Sequence, residues 1–520
     1  MISGDNIGPN RRVTQKKRPV SSEQPSPKRT DFVWQALVLL TLFVIGLSKF
    51  ADPLGGDQSL FLIGAHAIRN GATLYRDFWD LKQPGIYVFY YLATAFGSYS
   101  PIAVHFFELS YMLVFALVQM LTLRTSHTFR SVANIAPIMT IGYYFISVSS
   151  FEQAQVESLV AFPLYVASWC TYAGSRTDHS RKALGLYFIA GLASAIVLIF
   201  KFIFLPLLVI VLVLALYKSH KHFFTYIRAF GTIAIGVALP LLGMLIYFAT
   251  RNALSQAIET WFALPPRIVA ELPHESTTIL WGGIRWFAHR FAGLFFLALL
   301  GMYSALRTRP DSLAIATLAW LICGIGVILL QVTSWFQYQW LLIATPLGLF
   351  AALGVHTAWK LASAKSPWIT RLLVTIVIGI SFLVPATLLF KNFNRLAAHK
   401  FALTPLQREQ YRDDESPVYA ACRRDAAYLT AERSSVYVLG DPTFYVVAHR
   451  LQPFSLNGSS VRLFLPEQWA QLQRELLGSP PSAVYISHSV TIASLSFRNL
   501  ISHRYAVRHR GTNGDLLFLK

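Results

Sequence analysis

The stretch GGDQSLFLIGAHAIRNGATLYRDFWDLKQPGIYVFYY, residues 55–91, sets Asp57, Asp77, Asp80, Arg69, Arg76 and Lys82 among aromatic and apolar residues. It follows the apolar run FVWQALVLLTLFVIGLS (32–48) and precedes another that begins at Pro101. A plain link between two membrane spans needs only a handful of residues. A connector this long and this charged asks for a purpose.

The rest of the chain sets the context. Of its 520 residues 54% are hydrophobic and 13% charged, against about 25% charged in a soluble domain. The mean hydropathy is +0.47. Runs such as LGLYFIAGLASAIVLIF (184–200) and LLVIVLVLALY (207–217) approach the roughly 20 apolar residues that cross a bilayer. The expected fold is an all-α polytopic membrane protein. Hydropathy and loop charge predict about eleven spans, near 32–49, 101–123, 132–149, 157–173, 184–200, 203–217, 230–249, 290–306, 312–331, 340–358 and 372–390. The tight pair 184–217, with Lys201 at its turn, reads as a broken or re-entrant hairpin. No internal repeat stands out, which argues against an inverted-repeat transporter.

A formal charge of +20 suggests nucleic acid until its distribution is read. Lys and Arg gather in the first residues and in alternate loops: LRTSHTFR (123–130), SRTDHSRK (175–182), YKSHKHFFTYIR (217–228), RTRPD (307–311) and WKLASAKSPWITR (359–371). The loops between them, SSFEQAQVE (149–157) and QVTSWFQYQ (331–339), have no Lys or Arg. That alternation is the positive-inside pattern. It assigns the basic loops and N-terminus to the cytoplasm, and the loops 51–100 and 250–290 with the C-terminal segment to the outside. No nucleic-acid partner is expected. Residues 1–31, rich in Pro, Ser and charge, read as a disordered basic cytoplasmic tail before an uncleaved signal-anchor, with contact to membrane lipid as the alternative. Cys170, Cys323 and Cys422 give neither a disulfide framework nor metal-ligand spacing.

After a transmembrane domain expected over 32–395, residues 408–520 regain a soluble balance. Strand-like SVYVLG (435–440) and SAVYIS (482–487), helix-like PEQWAQLQRELLG (466–478) and the hairpin YAVRHRGTNGDLLFL (505–519) predict a small extracytoplasmic α/β domain. LGDPTF (439–444) follows a strand without the G-x-G-x-x-G spacing, so no dinucleotide is expected there. Acceptor binding and a structural cover both remain open for this domain.

Within the charged connector, Leu60, Phe61, Ile63, Gly64, Ala67 and Ile68 recur at helical spacing after Asp57, and Gly71 is a natural terminator. This predicts a helix lying along the membrane surface. A second helix should open at Pro84, a residue suited to a first helical turn. Asp57 alone could be a helix cap, and Arg76 with Asp77 a solvated turn; the grouping of acids, Lys82 and aromatics is what suggests a site.

The same stretch resembles the first extracytoplasmic loop of GT-C fold glycosyltransferases, among them protein O-mannosyltransferases and lipid A aminoarabinose transferases. There an acid precedes an amphipathic helix, and a Lys-Pro element opens the next helix. The resemblance extends more loosely to about residue 390, and the segment after 408 resembles the variable outer domain of such enzymes. It implies transfer of a sugar from a polyprenyl-phosphate carrier to an acceptor hydroxyl outside the cytoplasm. The acceptor would be a lipid, glycan or protein, and the location a membrane, most simply a bacterial inner membrane. Asp57 matches the acid that serves as base or orients the acceptor, and Lys82 the cation on the carrier phosphate, although KQPG (82–85) departs from Lys-Pro-Pro. Glu157 falls where the family usually has a second acid, as Asp. In SWFQYQWLLIATPLGLF (334–350) Gln337 replaces the His of a His-Tyr pair that starts a late span, so no role for that His carries over.

The chemistry suits these residue types without the family. A carboxylate can accept the proton of an attacking hydroxyl, and Lys or Arg can stabilise a departing phosphate. One base with direct displacement inverts the anomeric carbon; a covalent route needs a second carboxylate, for which Asp77 and Asp80 are candidates. Arg76 and Lys201 are further candidates for the carrier phosphate, with snorkelling the alternative for Lys201. Arg267, Glu271 and His274 lie in FALPPRIVAELPHES (262–276), readable as an ordered loop over the site or as a solvated one. His105 and Glu108, one turn apart, read as a structural pair. No metal or other cofactor is indicated, although two acids could share a divalent cation. Two other readings stand beside the transferase: a transporter or flippase for a lipid-linked sugar, and a structural partner in an envelope complex.

Overall fold

The computed structural model describes residues 29–95, 99–177, 179–217, 223–272, 274, 276–363, 367–429 and 435–520. All but the last three residues of the tail expected over 1–31 lie outside these. The first helix, Arg29–Leu47, begins at its end.

Among the described residues seven helices are long and apolar enough to cross a membrane: Pro101–Thr125, Ser180–Phe200, Phe224–Thr250, Thr277–Arg307, Ser312–Leu329, Gln337–Ala362 and Trp368–Ala398. The other expected spans fall on shorter helices, including Asp31–Leu47, Ile138–Ser147, Phe202–Ala215 and Ala161–Ser175. Many large apolar side chains on these helices stay exposed, among them Leu239, Ile246, Phe296 and Ile380. In a protein without lipid around it that would be a liability; on a membrane span it is the face that meets hydrocarbon.

The charged connector folds as two helices joined by a turn. The first is Asp57–Arg69, closed by Asn70 and then by Gly71 at φ 94°. The second is Pro84–Ala95. Every residue from Gln58 to Ala65 is buried, so this helix has no open apolar face to lay on a membrane surface. The second connector helix packs on one side of it, and the C-terminal domain sits against it near Thr443, whose hydroxyl is 3.3 Å from that of Ser59. Gln58 is buried because it is used: its amide donates to the carbonyls of Ser150 and Gln153 at 2.7 and 2.5 Å, tying the connector to the loop that holds them.

Gly85 explains the departure KQPG. A Cβ at this position would lie 2.8 Å from both the Ile199 carbonyl oxygen and the Phe200 nitrogen. Only glycine lets the helix Pro84–Ala95 touch the backbone at the end of Ser180–Phe200. That contact brings Lys82 and Lys201, one near each helix end, to the same side of the molecule.

The C-terminal domain carries a four-stranded mixed sheet, β1 (Val436–Leu439), β2 (Ala483–Ser487), β3 (Tyr505–Arg510) and β4 (Gly514–Leu519), in the order β1-β2-β4-β3. β1 and β2 are parallel, and the crossover between them contains the helix Pro466–Gly478. β4 runs antiparallel to both neighbours. Its loop 455–464 returns to the connector. Trp79 pairs with Leu456 as an isolated parallel bridge, with the Trp79 amide donating to the Ser455 carbonyl at 2.8 Å and the Asn457 amide to the Trp79 carbonyl at 2.6 Å.

Gly85→Val should lower the stability of the purified protein by about 1–3 kcal/mol or more, the usual cost of forcing atoms into a packed contact. Thermal unfolding in nanodiscs measures it. An unchanged melting temperature would mean the approach is looser than described.

Candidate active site

Asp57 is the first residue of its helix and follows Gly56, whose φ of 50° is a conformation that L side chains rarely adopt. Its carboxylate does not cap the helix. One oxygen accepts from Lys82 Nζ at 3.1 Å and from the Tyr338 hydroxyl at 2.8 Å, and Lys82 Nζ lies 3.3 Å from the same hydroxyl. Lys82 also lies over the rings of Phe61 and Tyr338 at 5.9 and 5.7 Å, which attracts the cation and keeps water from one side of it. The turn that carries it is fixed from behind by Tyr75, whose hydroxyl donates to the Lys82 carbonyl at 2.8 Å.

The electrostatics follow from this half-buried triad. Burial pushes the Asp57 pKa up, but Lys82, the Tyr338 hydrogen bond and the charge of Arg462 outweigh it and hold the carboxyl below its usual range. Burial works against the Lys82 charge, yet Asp57, Tyr338 and Asp80 keep it well above the ordinary lysine value. Asp57 is thus ionised and Lys82 protonated throughout the neutral range.

A second ion pair lies close by. Lys201, in extended conformation between Ser180–Phe200 and the short 3₁₀ turn Phe202–Phe204, donates to Glu157 at 2.8 Å and to Gln331 at 2.5 Å. Its side chain is 17% exposed and that of Glu157 2%, so Lys201 does not snorkel to water or headgroups. The structure therefore brings together four of the sequence candidates, Asp57, Lys82, Glu157 and Lys201.

The others are placed differently. Asp80 is 2% exposed, accepts from the Tyr87 hydroxyl at 2.6 Å and lies 3.4 Å from the Ser460 hydroxyl. Burial raises its pKa. It braces the turn below Lys82. Asp77 and Arg76 pair with each other in an exposed turn at 2.7 Å, and Arg76 also donates to the Arg251 carbonyl. These two are the solvated turn that the sequence left open, and Arg76 borders a separate cavity between Trp79, Thr260 and Gln471. Arg267 binds Glu271 at 3.0 Å and Glu467 of the C-terminal domain at 2.7 Å, while His274 contacts the Val269 carbonyl. His105 and Glu108 are buried 3.9 Å apart, but their hydrogen bonds go elsewhere: the His105 ring to the Asp52 carbonyl, while Glu108 accepts from Tyr144 and from the Ala154 amide.

A cavity of about 550 Å³ opens beside the triad, lined by Asp57, Tyr338, Phe336, Gln337, Glu152 and Gln155 among others. Glu152, which the sequence reading did not single out, accepts from the Gln337 side chain at 2.5 Å. Gln337, standing where the resemblance expects His, thus still points a polar group at an acid, Glu152. Tyr338 and Gln331 were also missed as partners. Their signal was the Tyr of the His-Tyr pattern and the absence of Lys and Arg from 331–339. Among the described residues no three His, Cys, Asp or Glu side chains converge as a metal site would require.

Comparison with solved structures identifies the architecture. The chain is a membrane protein of the GT-C fold. It is similar to ArnT from Cupriavidus metallidurans crystallised bound to undecaprenyl phosphate, with a TM-score of 0.62 and 12% identity over 94% of this chain and 97% of that one. The apo state of the same ArnT gives 0.60 and 13% with equal coverage. An Archaeoglobus fulgidus oligosaccharyltransferase in the apo form covers 89% of this chain and 70% of its own at 14% identity and a TM-score of 0.48. No family model matches the sequence, and neither does any curated protein.

The pair predicts a pH dependence with a definite sign. Asp57 has a lowered pKa, so its contribution is present above the ordinary carboxylate value and is lost as the pH falls through the lowered one. Activity that needs ionised Asp57 should be flat on the acid side down to that region. In Lys82→Met, burial acts with less opposition, so the acid limb of kcat/KM should move to higher pH. A limb that stays in place would separate Asp57 from the rate.

Proposed function

We propose that this chain is an integral membrane glycosyltransferase that moves a sugar from a polyprenyl-phosphate carrier to an acceptor hydroxyl on the extracytoplasmic side. The observation that carries this reading is the Asp57–Lys82–Tyr338 triad at the edge of a cavity large enough for a sugar phosphate. The fold shared with a protein crystallised with undecaprenyl phosphate supports a lipid-linked donor. The positive-inside pattern supports an outward-facing site, a cytoplasmic N-terminus and, in a bacterium, an inner-membrane location. The acceptor is a lipid, glycan or protein bearing a free hydroxyl. In domain terms, 1–31 serves as tail, 32–395 as the transferase body, and 408–520 as an outer domain.

The step balances on two residues. The acceptor oxygen attacks the anomeric carbon and its proton passes to Asp57. The bond from that carbon to the phosphate oxygen breaks, and its electron pair leaves with the polyprenyl phosphate. Lys82 meets the growing negative charge in a site poor in water, where a fixed cation acts more strongly than in bulk solvent. In the unliganded pair Asp57 is a weak base, because Lys82 neutralises it. A donor phosphate competes for Lys82, and once that cation turns to the phosphate, burial raises the basicity of Asp57. Donor binding would thereby switch on the base. Lys201, held by Glu157, adds positive potential behind the phosphate. Asp80, engaged by Tyr87 and Ser460, and Asp77, engaged by Arg76, are poor nucleophiles in these positions, which favours direct displacement with inversion.

Purified protein in nanodiscs, incubated with a panel of radiolabelled polyprenyl-phosphate sugars and envelope extract, should release label from one donor. Asp57→Asn should slow release about 10²- to 10⁴-fold, the usual share of a general base, while still binding the donor. Lys82→Ala should weaken donor binding. Carrier moved between leaflets with its sugar still attached would support transport in place of transfer.

A further inference from the structure

We propose that Arg462, carried by the C-terminal domain, is a second cationic contact for the phosphate of the lipid-linked donor, acting opposite Lys82 at the rim of the Asp57 cavity. The inference rests on the transferase reading and extends it to a domain whose sequence assigns it no task.

Arg462 is exposed, and its guanidinium lies over the ring of Phe336 at 4.9 Å. Phe336 lines the cavity and stacks on Tyr338 with ring centroids 5.4 Å apart. Tyr338 in turn bonds Asp57. The guanidinium therefore stands one aromatic ring away from the triad, close enough for its charge to be felt at Asp57.

Its backbone is held there firmly. Arg462 sits in the short turn Val461–Leu463, between buried Val461 and buried Phe464. The Phe464 ring meets Trp79 edge-on, with centroids 5.9 Å apart. Asn457 fixes both sides of the junction, donating to the Trp79 carbonyl at 2.6 Å and accepting from the Ser460 amide at 3.0 Å. The connector that carries Lys82 and the loop that carries Arg462 thus form one unit, with the two cations on it.

The chemistry needs a second cation. In the proposed transfer Lys82 turns from Asp57 to the phosphate, while Lys201 stays with Glu157. The donor phosphate is a diester with one negative charge, and the departing monoester carries more. Arginine suits a phosphate whose charge grows, because its planar fork can give two parallel hydrogen bonds that a single ammonium cannot. The same chemistry would serve an acidic group on the acceptor, and the experiment separates the two.

Full-length protein in phosphatidylcholine nanodiscs is titrated with undecaprenyl phosphate and, separately, with uncharged undecaprenol. Arg462→Ala should raise the Kd for undecaprenyl phosphate about tenfold or more, leave undecaprenol binding unchanged, and be partly rescued by Arg462→Lys. Unchanged phosphate binding in Arg462→Ala, beside loss in Lys82→Met, overturns this inference but leaves the transferase reading standing, with the acceptor as the partner if its KM rises. Equal weakening for both lipids, or a lowered melting temperature in both Arg462 variants, makes the residue structural and overturns it as well. If the wild type itself fails to bind undecaprenyl phosphate, the underlying reading falls first.

Discussion

Asp57 and Lys82 are 25 residues apart in the chain, one at a helix start and the other in the turn before Pro84–Ala95, yet neither charge can remain in this half-buried place without the other. Removing a charge from water costs several kcal/mol unless an opposite charge and hydrogen bonds compensate it. The surroundings are arranged around that requirement. Gly56 starts the Asp57 helix at an angle other residues resist, Tyr75 fixes the Lys82 carbonyl, and Tyr338, at the start of Gln337–Ala362, closes the pair. Gly85 allows the backbone contact that sets Lys201 nearby.

A pair so well compensated is stable and chemically quiet until something competes for one member. An anionic phosphate is such a competitor for Lys82, whereas a neutral hydroxyl is not. For the transfer we propose, that difference would give an order of events without any moving domain: the donor enters, the base is freed, and the acceptor loses its proton. In the same proposal it would protect the donor, since water arriving before the phosphate meets a carboxylate that is a poor base.

The parts of this arrangement that follow local rules were legible in the sequence. Pro84 and Gly71 mark helix ends because their backbone preferences do so anywhere, and Lys201 stands at a turn between two apolar runs. The strands of the C-terminal sheet were visible as strand-like runs, although their mixed order was not. What periodicity cannot show is contact across the chain. Tyr338 is 281 residues from Asp57, and Arg462 reaches the site from another domain. The same limit misread the first connector helix as a surface element: its pattern of apolar residues gave no sign that a domain lies against it near Ser59. Arg76 and Asp77 have the same chemistry as Lys82 and Asp80 and lie only a few residues away. They differ in burial, which the turn geometry decides and composition does not.

The most direct measurement is a cryo-EM structure of the protein in lipid nanodiscs with undecaprenyl phosphate bound. Exchange of partners at Lys82 requires the phosphate within hydrogen-bond distance of Lys82 Nζ and the Asp57 carboxylate released from that lysine toward the cavity. A phosphate bound elsewhere, with the Asp57–Lys82 pair still closed at about its present 3.1 Å, would contradict it.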